Sequence, residues 1–425
     1  MRGDMTHRYS TCRTSTATTS HRLFPVRAQL CSLGIAFLFL SALSLGLWAC
    51  SGAAPQSPTP DSVPTAAPTG APEETVPPSP SAPTPEPTPV AVELNVWVPP
   101  EFALPEEHPL AQALDAAFGT AQPSVQVKLS VKQAHGKGGI LDLLAGASQV
   151  APDFVPDVVL MSNADLAEAV REKLVQPLDA LAQPRCVESL FPNLLPLGVS
   201  DGVRYGIPFG VDLVHLLYRA SITATAPVTW GTVLASGERN LFTSGGYEAS
   251  MGDFLLLQYL GAGGKFRDAQ GQPSLDPRVL AQVLALSKDL YDQGVLADGI
   301  LTAISPEAAW ALFTTGEVDF LEVRASDFLA EPAADGVAFS SVPTLNGIRV
   351  AAAHGWVWAI PARSPNRQQA AVQFLDWALA PEREKAWCDV ARCLAASNDA
   401  WLETGSLSPY ETMLLSLVQA AAPLP

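Results

Sequence analysis

Between Ala53 and Val90 the chain reads AAPQSPTPDSVPTAAPTGAPEETVPPSPSAPTPEPTPV, with proline at nearly every third position and almost no large apolar side chain. Such a run cannot bury enough surface to offset the entropy of ordering it, so it joins no core. It favours extended polyproline II, rising about 3.1 Å per residue, and would reach on the order of 100 Å if fully stretched. The chain is thereby divided into a leader ending near Cys50, a spacer, and a body that begins near Val92. With 425 residues, 48% of them hydrophobic, the chain exceeds what one core usually supports, and two lobes are expected.

The formal net charge is −17, and no basic cluster follows Cys50. Nucleic-acid binding needs a basic footprint, so that class of partner is excluded. Ahead of the spacer, Leu30 to Ala49 carries no charge and is long enough to cross a bilayer core. Arg2, Arg8, Arg13, Arg22 and Arg27 precede it against the single acid Asp4, a positive flank of the kind that stays in the cytoplasm. The segment resembles a bacterial lipoprotein signal peptide, in which small or apolar residues precede a cysteine that is lipidated and becomes the new N-terminus. Leu47, Ala49 and Cys50 match that pattern, while Trp48 is bulkier than the usual residue. An uncleaved transmembrane anchor is the alternative, and both place the body outside the cytoplasm. The expected division is a signal peptide over 1–49 and a lipidated Cys50 with its tether over 50–90.

Removal of the leader leaves Cys186, Cys388 and Cys393 beside an acylated Cys50. An odd count forbids complete pairing. Cys388 and Cys393, five apart near a helix end, are either a small disulfide in an oxidising compartment or two ordinary buried thiols. No second ligand pair supports a metal site.

From Val92 strands and helices alternate. VELNVWV and VQVKLSV alternate as strands, HPLAQALDAAFGTAQ places Leu110, Leu114 and Phe118 at helical spacing, GILDLLAGAS reads as a helix and FVPDVVLM as a buried strand. That order predicts a parallel sheet with right-handed crossovers, and ligands in such sheets sit beyond the carboxyl ends of the strands.

PDVVLMSNADLAEAVREKLVQPLDAL, YGIPFGVDLVHLLYR, LGAGGKF, FTTGEVDF and GWVWAIPARSPNRQQAAVQFLDWAL, in that order, resemble landmarks of the extracellular solute-binding proteins of ATP-driven (ABC) importers, closest to the family 1 branch that includes maltose-binding proteins. The resemblance implies an α/β, periplasmic-binding-protein-like type II fold: two α/β lobes with a hinge and an interlobe cleft. Lobe 1 is expected over 91–208 plus 356–395, and lobe 2 over 213–352 plus 396–425. It further implies a monomeric receptor without cofactor, holding a mono- or oligosaccharide and meeting permease subunits at the membrane face.

A sugar site needs aromatic faces for the pyranose and charged or amide groups for its hydroxyls. Where the resemblance places cleft residues stand Trp97 and Glu101 after the first strand, Asn163 and Asp165 after PDVVLM, Asp212 at the first crossing, Tyr247 and Asp253 in TSGGYEASMGDF, and Arg324 and Ser326 after EVDFLEV. Each has a plainer alternative: core packing for Trp97, a solvated acid for Glu101, helix capping for Asn163 and Asp165, pairing with an arginine for Asp212, and charge balance for Arg324. His215 reads as an interior histidine. Trp356 and Trp358, two apart, share a face if extended, with Trp356 assigned to the cleft and Trp358 to packing. Gly355 beside them permits close approach of backbone or ligand. Trp310, Trp377 and Trp387 fall in helical patterns and read as core.

A secreted hydrolase and a tethered sensor on the same cleft are the competing functions. Nothing in the sequence fixes two carboxylates at the roughly 5 to 10 Å separation that glycoside cleavage requires. No HExxH or phosphate-loop motif occurs. No catalytic residue is therefore assigned.

Overall fold

The computed structural model describes residues 92–120, 125–179, 181, 185–223, 225–237, 239–242, 253–270, 272–295, 305–330 and 335–423. The leader, the spacer, Cys50 and Tyr247 lie outside the described residues. Among the described residues no helix is long and apolar enough to cross a membrane.

Strand β1 (Val92–Val98) buries Leu94, Val96 and Val98 on one face, as its alternation predicts. It pairs in parallel with β2 (Val125–Val131), Val92 opposite Val125 through Val98 opposite Val131. On its other edge lies β3 (Val158–Ser162), also parallel, whose first four residues are buried. Helices form the crossovers. In α1 (Pro109–Asp115) the His108 ring caps the Leu110 N–H, and Leu110 and Leu114 point inward. In α2 (Ile140–Val150) Ile140 and Leu144 do the same. The third, α3 (Asn163–Arg171), starts directly from β3, its end capped by the Ser162 hydroxyl accepting from the Asp165 N–H. All three strands thus end toward one edge of the sheet.

After a short hairpin, β4 (Val199–Ser200) with β5 (Val203–Arg204), the chain enters β6 (Gly206–Arg219), fourteen residues that are buried almost throughout. Helix α4 (Trp230–Ser236), strand β7 (Asn240–Phe242), helices α5 (Asp253–Gly261), α6 (Pro277–Asp292) and α7 (Pro306–Thr315), strand β8 (Phe320–Arg324), helix α8 (Ala325–Ala330) and strand β9 (Val337–Ser340) follow. Strand β10 (Ala351–Ala359) then returns antiparallel to β6, with Trp356 opposite Gly210 and His354 opposite Asp212. The sheet order is β2-β1-β3-β10-β6-β8-β7. One strand therefore serves two sheets: Gly206 to Leu213 pairs with β10, while Val214 to Arg219 pairs with β8 and β9. The remaining elements are α9 (Pro365–Ala378), α10 (Pro381–Ala391), β11 (Leu394–Ala395), α11 (Asn398–Leu402), α12 (Pro409–Gln419) and β12 (Ala421–Pro423). Strand β11 passes over β6 at Val211 and Gly210, and β12 pairs with β10 at Ala351.

Three buried clusters result. The largest joins β1, β3, the first half of β6, most of β10 and helices α9 and α10, and contains Trp358 and Trp387. A second gathers Leu216, Trp230, Phe254 and Leu290, and a third Leu217, Phe313 and Leu321. The two faces of the second half of β6 thus feed separate clusters. The tail packs Leu414, Leu417 and Val418 into the largest cluster, where Asn193 Nδ2 also donates to the Val418 and Ala421 carbonyls, while Tyr410 of the same helix packs on Phe328 and Phe339. Trp387 is wholly buried as expected, whereas Trp310 and Trp377 are only partly buried at cluster edges.

Two glycines on the crossing strands admit neighbours rather than ligand. A Cβ on Gly355 would come within 2.7 Å of Leu197 Cδ1, so the close approach expected there is to that leucine. A Cβ on Gly210 would meet Cys393 Sγ at 2.6 Å. Cys388 Sγ would lie 3.5 Å from the same Cβ, and in this structure the two cysteines are free, buried thiols. Arg392, at φ 56, turns the chain at the end of α10, Cys393 N donates to Cys388 O at 3.0 Å, and each sulfur faces β6. Cys388 Sγ lies 3.8 Å from the Phe209 carbonyl, and Cys393 packs over Gly210.

Candidate functional site

At the carboxyl ends of β1, β2 and β3, beside the β10 crossing, aromatic and ionisable side chains gather. Trp356 is the centre. Its ring is half-buried and packed on the largest cluster, meeting Phe102 edge-on with centroids 5.3 Å apart at 70°. Its other neighbour is His135, whose imidazole stacks on it at 5.8 Å and 25°, within the range that offset aromatic pairs prefer. Trp358, by contrast, is fully buried against Phe209, Phe374 and Trp387, so the two tryptophans divide between surface and core.

His135 was not singled out by any periodicity, since it sits in the loop AHGKGG between β2 and α2. The loop is tightly built: Gly136 and Gly138 have φ of 73 and 80, Gly139 N donates to Gly136 O, and a Cβ on Gly139 would strike the His135 carbonyl carbon at 2.6 Å. Glycines that force a turn after the carboxyl end of a strand, around a lone imidazole, are the signal that would have found it. His135 Nδ1 lies 2.8 Å from Asp165 Oδ2, and the same oxygen accepts from the Ser162 hydroxyl at 2.9 Å. The capping group of α3 is therefore Ser162, which leaves the Asp165 carboxylate facing the imidazole.

Asn163 is committed to the frame, because its Oδ1 accepts from the Gly355 N–H at 3.0 Å and ties α3 to β10. Trp97 is half-buried at the end of β1 and packs on the largest cluster, with Lys132 Nζ 5.4 Å from its ring centroid. Glu101 is exposed on the turn Pro100–Phe102.

Across the crossing, Asp212 is half-buried, and among the described residues no arginine pairs with it. Its Oδ1 accepts from the backbone N–H groups of Leu213 and Ser326, at 3.0 and 3.1 Å, and its Oδ2 from the Ser326 hydroxyl at 2.7 Å. A carboxylate at the start of α8 meets N–H groups that have no partner within the helix, which offsets the cost of placing it in an apolar strand. Asp212 and Ser326, both expected at the site, thus bind each other. Arg324 ends β8 and lowers the pKa of Asp327, but burial, first, and the neighbouring Asp212 and Glu307 charges raise it overall. Asp253 begins α5, and its side chain is outside the description.

Tyr410, on the C-terminal helix, was missed. Its hydroxyl lies 2.9 Å from His215 Nε2, and its ring packs on Phe328 at 4.6 Å and Phe339 at 5.1 Å. Burial and the Asp212 charge push the Tyr410 hydroxyl pKa up. His215 is wholly buried, and desolvation depresses its pKa to about 4, so it is a neutral interior histidine. Among the described residues no group of histidine, cysteine or carboxylate side chains is arranged to hold a metal.

An indole, a carboxylate and an imidazole thus stand together at strand ends, beside the pairing of β10 and β11 with β6. A family model described as bacterial extracellular solute-binding protein matches residues 113–406. No curated protein matches the chain. Among solved structures the chain is similar to the maltose-bound MalE3 of T. maritima (19% identity, 79% of this chain and 90% of that one, TM-score 0.61). It is also similar to the cyclic α-maltosyl-1,6-maltose binding protein of Arthrobacter globiformis (19%, 79% and 88%, TM-score 0.63). A third is the sugar-binding protein MalE of Xanthomonas citri (17%, 79% and 87%, TM-score 0.63). These likenesses establish the α/β periplasmic-binding-protein fold. With the family model covering well over half of its length, the chain belongs to the bacterial extracellular solute-binding proteins, a family of non-enzymatic receptors.

Proposed function

We propose that this chain is a membrane-tethered, extracytoplasmic receptor that binds a carbohydrate and presents it to the permease of an ABC importer. The observation that carries the reading is Trp356, a half-exposed indole held edge-on by Phe102 and placed beside the Asp165 carboxylate at the carboxyl ends of a parallel sheet. Stacking of a pyranose on the ring with hydroxyls bound to carboxylates is the chemistry such a surface supports. The sugars named for two of the similar structures, and the description of the third as sugar-binding, support the same ligand class. In this reading one lobe is built on the largest buried cluster and the other on the two smaller ones. Closure bends β6, β10 and β11 at their crossings, as in hinge closure around ligands generally.

A thermal-shift panel tests it. A bound sugar at about a hundred times its dissociation constant adds roughly 2.7 kcal/mol of stability and raises the melting temperature by several degrees. A panel of sugars that leaves the melt unchanged, while a peptide or organic anion shifts it, would move the ligand out of the carbohydrate class.

The tether has its own test. Cys50→Ser is expected to leave a precursor that takes up no labelled fatty acid and keeps its leader, as read by mass spectrometry of the N-terminus. A wild-type protein whose membrane-bound form retains residues 1–49 would instead establish a transmembrane anchor.

A further inference from the structure

His135 stacks on Trp356 and at the same time binds Asp165. A pyranose docking at this surface would use the same two groups, one through its flat apolar face and the other through a hydroxyl. We propose that His135 is a resident stand-in for the sugar, and that a carbohydrate enters by displacing its imidazole from both. The inference rests on the carbohydrate reading of the Trp356 surface and adds a specificity-determining residue to it.

Three features support displacement over direct contact. First, the indole already meets the core edge-on through Phe102, so a ligand competes for the part of the ring that the imidazole covers. Second, the His135 side chain is 43% exposed, so rotation about its own bonds carries the imidazole into solvent and not into the core. Third, the backbone that carries it does not need to move. Lys132 N is bonded to Val98 O, Ile140 N to Gln133 O, and Gly138 N to Asp142 Oδ2 at 2.7 Å, which brace the loop at both ends. Before the sugar arrives, the imidazole keeps the Asp165 carboxylate hydrogen-bonded and part of the indole covered. The apparent affinity is then reduced by the fraction of molecules in which His135 holds its place.

The sign of one substitution decides between the roles. Calorimetric titration with maltose is expected to show about three- to tenfold tighter binding to His135→Ala than to the wild type, the range that releasing one aromatic pair implies. His135→Gln, which keeps an amide near Asp165 but loses the ring, should fall between. Equal or weaker binding by His135→Ala would overturn the proposal and make the imidazole a direct ligand contact or a bystander.

A second readout needs no ligand. Acrylamide should quench the tryptophan fluorescence of unliganded His135→Ala more strongly than that of the wild type, and the excess should vanish when Trp356→Phe is added. Identical quenching would show that His135 does not cover the ring and would also overturn the proposal. If maltose binds none of these proteins while the quenching behaves as expected, the maltose assignment fails and the His135 placement stands.

Discussion

Trp356→Ala is expected to erase the sugar-induced rise in melting temperature and to weaken binding by at least about thirtyfold, the loss that follows from removing a stacking anchor of 2 kcal/mol or more. The fold should survive. The ring is only half-buried, and the layer beneath it is held by Phe102, Phe209, Trp358 and Trp387, which pack on one another independently. Trp358→Ala supplies the contrast. Deleting that fully buried ring should cost about 3–5 kcal/mol of stability, as large-to-small core substitutions do, and should affect binding only through the fold. If Trp356→Ala keeps its affinity, the indole does not hold the ligand, and the carbohydrate reading loses the observation on which it stands.

The second large effect is a dependence of stability on pH set by Glu384. This residue of α10 is fully buried, with Oε1 accepting from the Ser397 N–H at 2.9 Å and Oε2 from the Ser397 hydroxyl at 2.6 Å. Desolvation raises its pKa to about 7. The two Ser397 bonds work against that shift, and the Asp399 charge adds to it. Because the folded value lies above the unfolded one, folding favours the bound proton. The stabilisation is complete below the unfolded pKa of 4.5 and is lost as pH rises through about 7. The full loss is about 3 kcal/mol, from the conversion of roughly 1.4 kcal/mol per pKa unit.

His215 has the opposite slope. Its pKa is depressed to about 4 from 6.5, so its neutral native form loses stability as pH falls between those values. The two effects offset each other between about 4.5 and 6.5, and the bare profile hides both. The informative quantity is the difference between wild type and Glu384→Gln in denaturant unfolding. That difference should be small near pH 4.5 and should favour the variant progressively through pH 8. A difference that stays constant with pH would mean that Glu384 is ionised throughout.

Much of this architecture is legible in the sequence, because strand alternation and helix spacing are local. VELNVWV and VQVKLSV each show period two, and PDVVLM is continuous as a doubly covered strand should be. The site is less legible, because hydrogen-bond partners come from distant segments. Asp212 stood out as a carboxylate in an apolar strand, but Ser326, its partner, lies 114 residues away. Asn163 looked available until Gly355 was brought beside it. Tyr410 carries no local mark at all, and only the return of the C-terminal helix places it on His215 and Phe328. Trp356 and Trp358, two apart, share a face by period two, and what separates them is the packing of the distant Phe209, Phe374 and Trp387 on Trp358 and of the His135 imidazole on Trp356.

The continuity of β6 also bears on how such a receptor can change over time. Because one unbroken strand belongs to both sheets, and β10 and β11 join it from distant parts of the chain, neither half corresponds to a contiguous stretch of sequence. No single cut or splice could exchange one half for that of a relative. On the proposed reading, new ligand preferences accumulate by substitution in the short turns at strand ends, such as the glycine loop that carries His135, while the shared strand is inherited whole.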